Sequence, residues 1–251
     1  MRAEGGESAL EVPEDWLQGR TLFGGLQAAL AFSAMRSLAP QAPLRALQAT
    51  FLAPVPGGPV RARARVLRSG KSTTHVEARI VDGENTLALF VGVFGLARPS
   101  AVKLRPQQPA VTPDNPIEMR YVAGVTPGFT QHFKARWIVG GPPWSASTRA
   151  DNVIELGMRD RGFATESHVL AMADFIPPIA LSFLTTPVAA ASLTWMVEIL
   201  ADDVSTMPLD GWRVDAQMMA AGSGYTNQSL LLWGPGGVPV ALGRQSMVLF
   251  G

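Results

Sequence analysis

The chain has 251 residues, 47% hydrophobic and only 16% charged, with a formal net charge of +1. That length allows one large domain or two ordinary ones with a real core, while the near-zero charge leaves no electrostatic footprint for nucleic acid or anionic lipid. The absence of cysteine excludes disulfides, thiolate catalysis and cysteine-ligated metals, and His75, His132 and His168 lack metal-ligand spacing. The low charge content points to much buried surface, in a core or an oligomer interface.

The first residues, "MRAEGGESALEVPEDW", lack the apolar core of a signal peptide. The apolar run "TLFGGLQAALAFSAM" is too short and glycine-rich to span a bilayer. A cytoplasmic protein without membrane insertion is therefore expected. "SALEVPEDW" suits a strand, and Gly24-Gly25 then opens "LQAALAFSAMRSLA", apolar on every side as a buried helix is. Pro40 and Pro43 bracket its end. The segments "LRALQATFLAPV", "GPVRARARVLRSG", "STTHVEARIVDGE" and "TLALFVGVFGLA" have strand length and alternation, with "DGEN" as a hairpin turn.

Residues 99–128 are rich in proline and polar side chains and read as a linker. Beyond them the order repeats. "FTQHFKARWIVG" leads through an extended segment to "ESHVLAMADF", a short helix that Ser167 can cap and Pro177-Pro178 must end. Four strand-like segments follow: "ASLTWMVEIL", "GWRVDAQMMAAG", "YTNQSLLLWG" and "VPVALGRQSMVLF". The closing pairs of strands align, with Gly70 facing Gly222 and Ala88 facing Ala241 after a single insertion. A tandem duplication is the economical reading. A buried helix followed by an antiparallel meander suggests a curved sheet wrapping its helix, and two such units would pair edge to edge. The expected fold is α+β, a tandem double hotdog of two antiparallel sheets each wrapping a central helix. Its parts are residues 1–98, the linker 99–128, and a C-terminal repeat 129–251.

The stretches "LFGGLQAALAF", "LQATFLAPVPGGPVRARARVLRSGKS", "LAMADFIPPIA" and "PVALGRQSMVLF", in that order and spacing, resemble the acyl-CoA thioesterase II (TesB-like) double hotdog enzymes. The resemblance covers nearly the whole chain. It implies hydrolysis of an acyl-CoA thioester and a catalytic set of an aspartate, a hydroxyl residue and a glutamine, all in the second repeat. These map to Asp174 at the end of the second helix, Ser192 opening the following strand, and Gln245 in the last strand. The family's hydroxyl residue is usually threonine, and Thr194 lies two positions on, where strand alternation would give it the same face as Ser192. The first repeat has Gly92 where the second has Gln245, and Gly24-Gly25 near the position of Asp174. One site is thus chemically equipped.

With no cysteine and no G-x-S-x-G motif, a covalent route is disfavoured. A carboxylate can instead deprotonate water, worth about 10²–10⁴-fold in rate. Asp174 in its apolar setting is the expected base, with Ser192 and Gln245 as orienting donors and Gly24-Gly25 as substrate-binding backbone donors at a helix N-terminus. Each residue also has an ordinary structural role available: an exposed helix-end aspartate, an outward-facing glutamine, glycines for close packing. Arg61, Arg63 and Arg65 could meet coenzyme A phosphates, though a solvated strand face explains them as well. No metal and no cofactor are expected beyond coenzyme A within the substrate, and a homo-oligomer is expected. Two rivals remain: a hotdog-fold enoyl-CoA hydratase or dehydratase, needing a histidine beside Asp174, and a non-catalytic acyl-binding module.

Overall fold

The computed structural model describes residues 2–250. In chain order the first half contains β1 (Arg2–Glu4), β2 (Glu7–Val12), the small ribbon of β3 (Leu17–Gln18) and β4 (Thr21–Leu22), helix α1 (Gly24–Leu38), β5 (Leu44–Phe51), β6 (Gly58–Ser69), β7 (Thr73–Asp82) and β8 (Asn85–Gly95). After β9 (Ile117–Glu118) the second half contains β10 (Phe133–Val139), β11 (Asp151–Met158), helix α2 (Glu166–Ala173), β12 (Ala189–Ile199), β13 (Trp212–Gly222), β14 (Tyr225–Gly234) and β15 (Val238–Phe250).

Thirteen strands form one antiparallel sheet in the order β1-β2-β6-β7-β8-β5-β12-β15-β14-β13-β11-β10-β9. Reading outward from the β5–β12 seam, the two halves run in the same sequence. Each ends in four strands that follow its helix, the last three forming a meander and the first pairing with the last. The expected count of two sheets is corrected here, because the edge-to-edge pairing makes them one continuous sheet. Residues 46–50 of β5 pair with residues 194–198 of β12, so each half covers the other's exposed edge and the ladder continues across the seam. The core is likewise shared, with one buried cluster containing residues of both helices and both meanders.

Local chemistry explains the elements. Gly83, at φ 58°, makes the tight turn that lets Asp82 pair with Asn85, as the "DGEN" motif predicts. Helix α1 buries Ala28, Leu30, Ala31, Phe32, Ala34 and Met35, all round its circumference, between sheet and neighbouring helix. Helix α2 is only eight residues long and is capped by Thr165, not by Ser167 as expected. The Thr165 hydroxyl accepts from the His168 N–H, and His168 Nδ1 accepts from the Thr165 N–H at 3.0 Å. Ser167 lies two residues too late for this exchange because Glu166 is already helical. At its other end α2 stops before Pro177-Pro178, which cannot supply helical N–H groups. Among the described residues no helix is long and apolar enough to cross a membrane.

Candidate active site

The N-terminus of α1 meets the C-terminal end of α2, and that junction is where the chemistry gathers. Both ends are pinned by rings. Phe23, the residue before α1, stacks on Phe129 with centroids 4.0 Å apart, and Phe175, the second residue after α2, packs on Phe133 at 4.9 Å. The approach is close enough to require glycine. A Cβ at Gly25 would lie 2.8 Å from the Ala171 Cα, and one at Gly24 would lie 2.6 Å from the Asp174 Oδ2. Gly24 and Gly25 open α1 and lie directly against the Asp174 carboxylate at the end of α2.

Asp174 is the C-cap of α2. Its Oδ1 accepts from the Gln245 Nε2 at 2.5 Å, and its carboxylate also accepts from the Gly25 N–H. Helix geometry places the carboxylate unfavourably at the end of α2 but favourably at the start of α1. Some of its surface still reaches solvent, yet protein fills the volume around it, and charge hydration extends well beyond the contact layer. Burial accordingly pushes its pKa up from 3.8 to about 7, against the lowering by the Gly25 N–H and the Gln245 amide. A carboxyl that titrates near neutrality, keeps a path to water and is held by two donors can act as a general base.

Gln245 is 2% exposed and points inward from β15, in phase with buried Ala241 and Met247. It faces Trp195 on β12 and Gln228 on β14. Gln228 went unnoticed in the sequence. Its Nε2 donates to the Gln245 Oε1 at 3.1 Å, and its Oε1 accepts from the Ile179 N–H at 2.9 Å. The available signal was phase: Gln228 shares its strand face with the buried Leu230 and Leu232.

The two hydroxyl candidates separate. A bulge between Ser192 and Thr194 breaks the alternation that would have given them one face. Ser192 is paired with buried Met247, on the face that carries Gln245, whereas exposed Thr194 is paired with Ser246. Among the described residues no hydrogen bond joins Ser192 to Asp174, so the partners of the carboxylate are Gln245 and the Gly25 N–H. The histidines lie elsewhere. His168 is bonded to Thr165 at the opposite end of α2, and His132 is stacked on Trp16 at 4.2 Å. Among the described residues no cluster of three or more potential metal ligands occurs.

Family models match both halves: an acyl-CoA thioesterase N-terminal domain over residues 12–95 and an acyl-CoA thioesterase C-terminal domain over residues 104–249. A search of curated proteins finds no match. Among solved structures, a conserved protein of unknown function with a hot dog fold from Alicyclobacillus acidocaldarius superposes with a TM-score of 0.87 at 22% identity, over 98% of this chain and 94% of that one. The acyl-CoA thioesterase II TesB2 of Mycobacterium marinum gives 0.74 at 16% identity, over 100% and 95%. A tesB protein of Mycobacterium avium subs paratuberculosis gives 0.77 at 15% identity, over 98% and 93%. These structural likenesses establish the hotdog fold. With both of its halves matched by the paired family domains, the chain belongs to the acyl-CoA thioesterase family of thioester hydrolases.

Proposed function

We propose that this chain is a tandem double hotdog that hydrolyses an acyl-CoA to the free acid and coenzyme A through water activated by Asp174. The observation that carries the reading is the Asp174 carboxylate: held by Gln245 and the Gly25 N–H, in reach of water, and surrounded by protein that pushes its pKa up to about 7. In its ionised form Asp174 takes a proton from water as the oxygen attacks the thioester carbonyl carbon. The tetrahedral adduct then collapses, breaking the carbon–sulfur bond, and the proton held by Asp174 passes to the departing thiolate. No acyl-enzyme forms and no metal or redox cofactor enters the step.

Gln245 holds the ionised carboxylate in place. Ser192 is positioned on the same sheet face, one inward-facing step along, where its hydroxyl could orient the water. Gly24 and Gly25 then act through the carboxylate: Gly25 supplies a donor to it and Gly24 leaves it room. This composite of α1 and α2 explains why two repeats would carry one equipped site. Asp174 has no histidine partner among the described residues, which favours hydrolysis over hydration. A bare binding pocket would have no use for a desolvated carboxylate held by donors. The half-exposed Met196 and Leu242, on the outward side of β12 and β15, give a second copy an apolar surface to cover, and sedimentation would test that assembly.

The test is a hydrolysis assay over a panel of acyl-CoAs with Asp174→Asn beside the wild type. Release of free thiol by the wild type and a fall of about 10²–10⁴-fold in the variant are expected. Full activity in the variant would overturn the mechanism.

A further inference from the structure

The chemistry above needs one amide, Gln245, yet a second glutamine is buried directly beside it. Gln228 is 1% exposed and lies opposite Gln245 on the adjoining strand. Burying such a group is costly unless it is bonded, and both of its polar atoms are. The polarity of those bonds matters. A glutamine amide can turn through 180° and exchange donor for acceptor. A turned Gln245 would set its Oε1 against the Asp174 carboxylate and repel it.

The Ile179 N–H can only donate. It therefore fixes the Gln228 oxygen toward itself, which directs the Gln228 Nε2 to the Gln245 Oε1, which in turn leaves the Gln245 Nε2 facing Asp174. We infer that Gln228 is a positioning residue for Asp174: anchored by Ile179, it locks the Gln245 amide with its N–H toward the carboxylate. Both ends of this chain of bonds come from one short stretch, since Asp174 and Ile179 are separated only by Phe175, Ile176 and the two prolines. Pro177-Pro178 restrict the backbone between them, so the distance the two glutamines must bridge is set. The effect on Asp174 ionisation stands by itself, while the effect on rate rests on the proposed role of Asp174 as base.

The test uses Gln228→Met, similar in size and without the amide, and Gln228→Glu, whose protonated form offers the same acceptor and donor. Asp174 is titrated by carboxyl carbon-13 NMR, its signal assigned by loss in Asp174→Asn, and the pH profile of kcat/KM is recorded in parallel on the acyl-CoA the wild type prefers. In Gln228→Met the Asp174 midpoint should rise by up to about one pH unit, with a matching fall of up to roughly fivefold in kcat/KM at pH 7. Gln228→Glu should restore activity on the acid side only and lose it as Glu ionises, turning a single rise into a bell. It also serves where the Met variant fails to fold. A midpoint that moves without the rate profile would keep the positioning role and refute the base. An unmoved midpoint in folded variants would overturn the positioning role itself.

Discussion

Gly92 on β8 and Gln245 on β15 occupy aligned positions on the last strand of each half, and they face different neighbours. A Cβ at Gly92 would stand 2.7 Å from the Met35 Sδ, so bare backbone there lets a full-length helix lie close on the sheet. At Gln245 the corresponding helix has already ended, at eight residues against fifteen, and the side chain meets Asp174. One half thus spends its helix on apolar packing. The other cuts its helix short and exposes a C-cap carboxylate to an inward amide. The duplicated scaffold stays the same, and the chemistry comes from where the second helix stops.

This contrast can be broken from several sides. The largest effect is expected on the equipped half: Asp174→Asn should cut kcat by about 10²–10⁴-fold in the hydrolysis assay while circular dichroism remains native. The same variant should alter stability in a defined direction. Because the folded pKa lies above the unfolded one, the folded wild type holds a proton that the unfolded chain releases, and it loses stability as pH rises from 3.8 to about 7. Thermal melts should therefore show the stability of Asp174→Asn relative to wild type rising across that window and flat above it.

Next comes the junction of the halves. Gly25→Ala would press a methyl against the Ala171 backbone, and about 1–3 kcal/mol of destabilisation is expected in denaturant titrations, with weakened activity as the helices part. Gln245→Leu removes the side-chain donor from the carboxylate, so the half-rise of the kcat/KM pH profile should move to higher pH, with roughly tenfold loss at pH 7. The smallest effect tests the asymmetry itself. Gly92→Gln should cost about 1–3 kcal/mol, from crowding Met35 and burying an unpaired amide, and should create no second site in the same assay.

The sequence made the repeating order of elements legible because alternation and turn residues mark strands locally. The four strands after each helix and the "DGEN" turn were readable in that way. Edge-to-edge pairing of the halves could be expected from their exposed edges, but the strands that form the seam could not, since β5 and β12 pair 148 positions apart at Gln48 and Met196. Asp174 stood out as the one charge in "LAMADFIPPIA", and Gln245 through family resemblance. Gly24 and Gly25 were noticed as backbone donors at a helix N-terminus, but not as neighbours of Asp174, because the meeting of two helix ends has no sequence signal. The separation of Ser192 from Thr194 was hidden because a bulge shifts the register by a single residue. Gln228 carried a readable mark, a polar side chain in phase with Leu230 and Leu232, but its importance depends on the Ile179 N–H across the site.

The central claim is that a carboxylate titrating near neutrality activates water. It is tested most directly by the pH dependence of kcat/KM for acyl-CoA hydrolysis in wild type and Asp174→Asn. The account predicts a wild-type profile that rises through a single ionisation near pH 7 as Asp174 deprotonates, and a variant at least a hundredfold slower across the range. A variant with the wild-type rate and the same rise would contradict it.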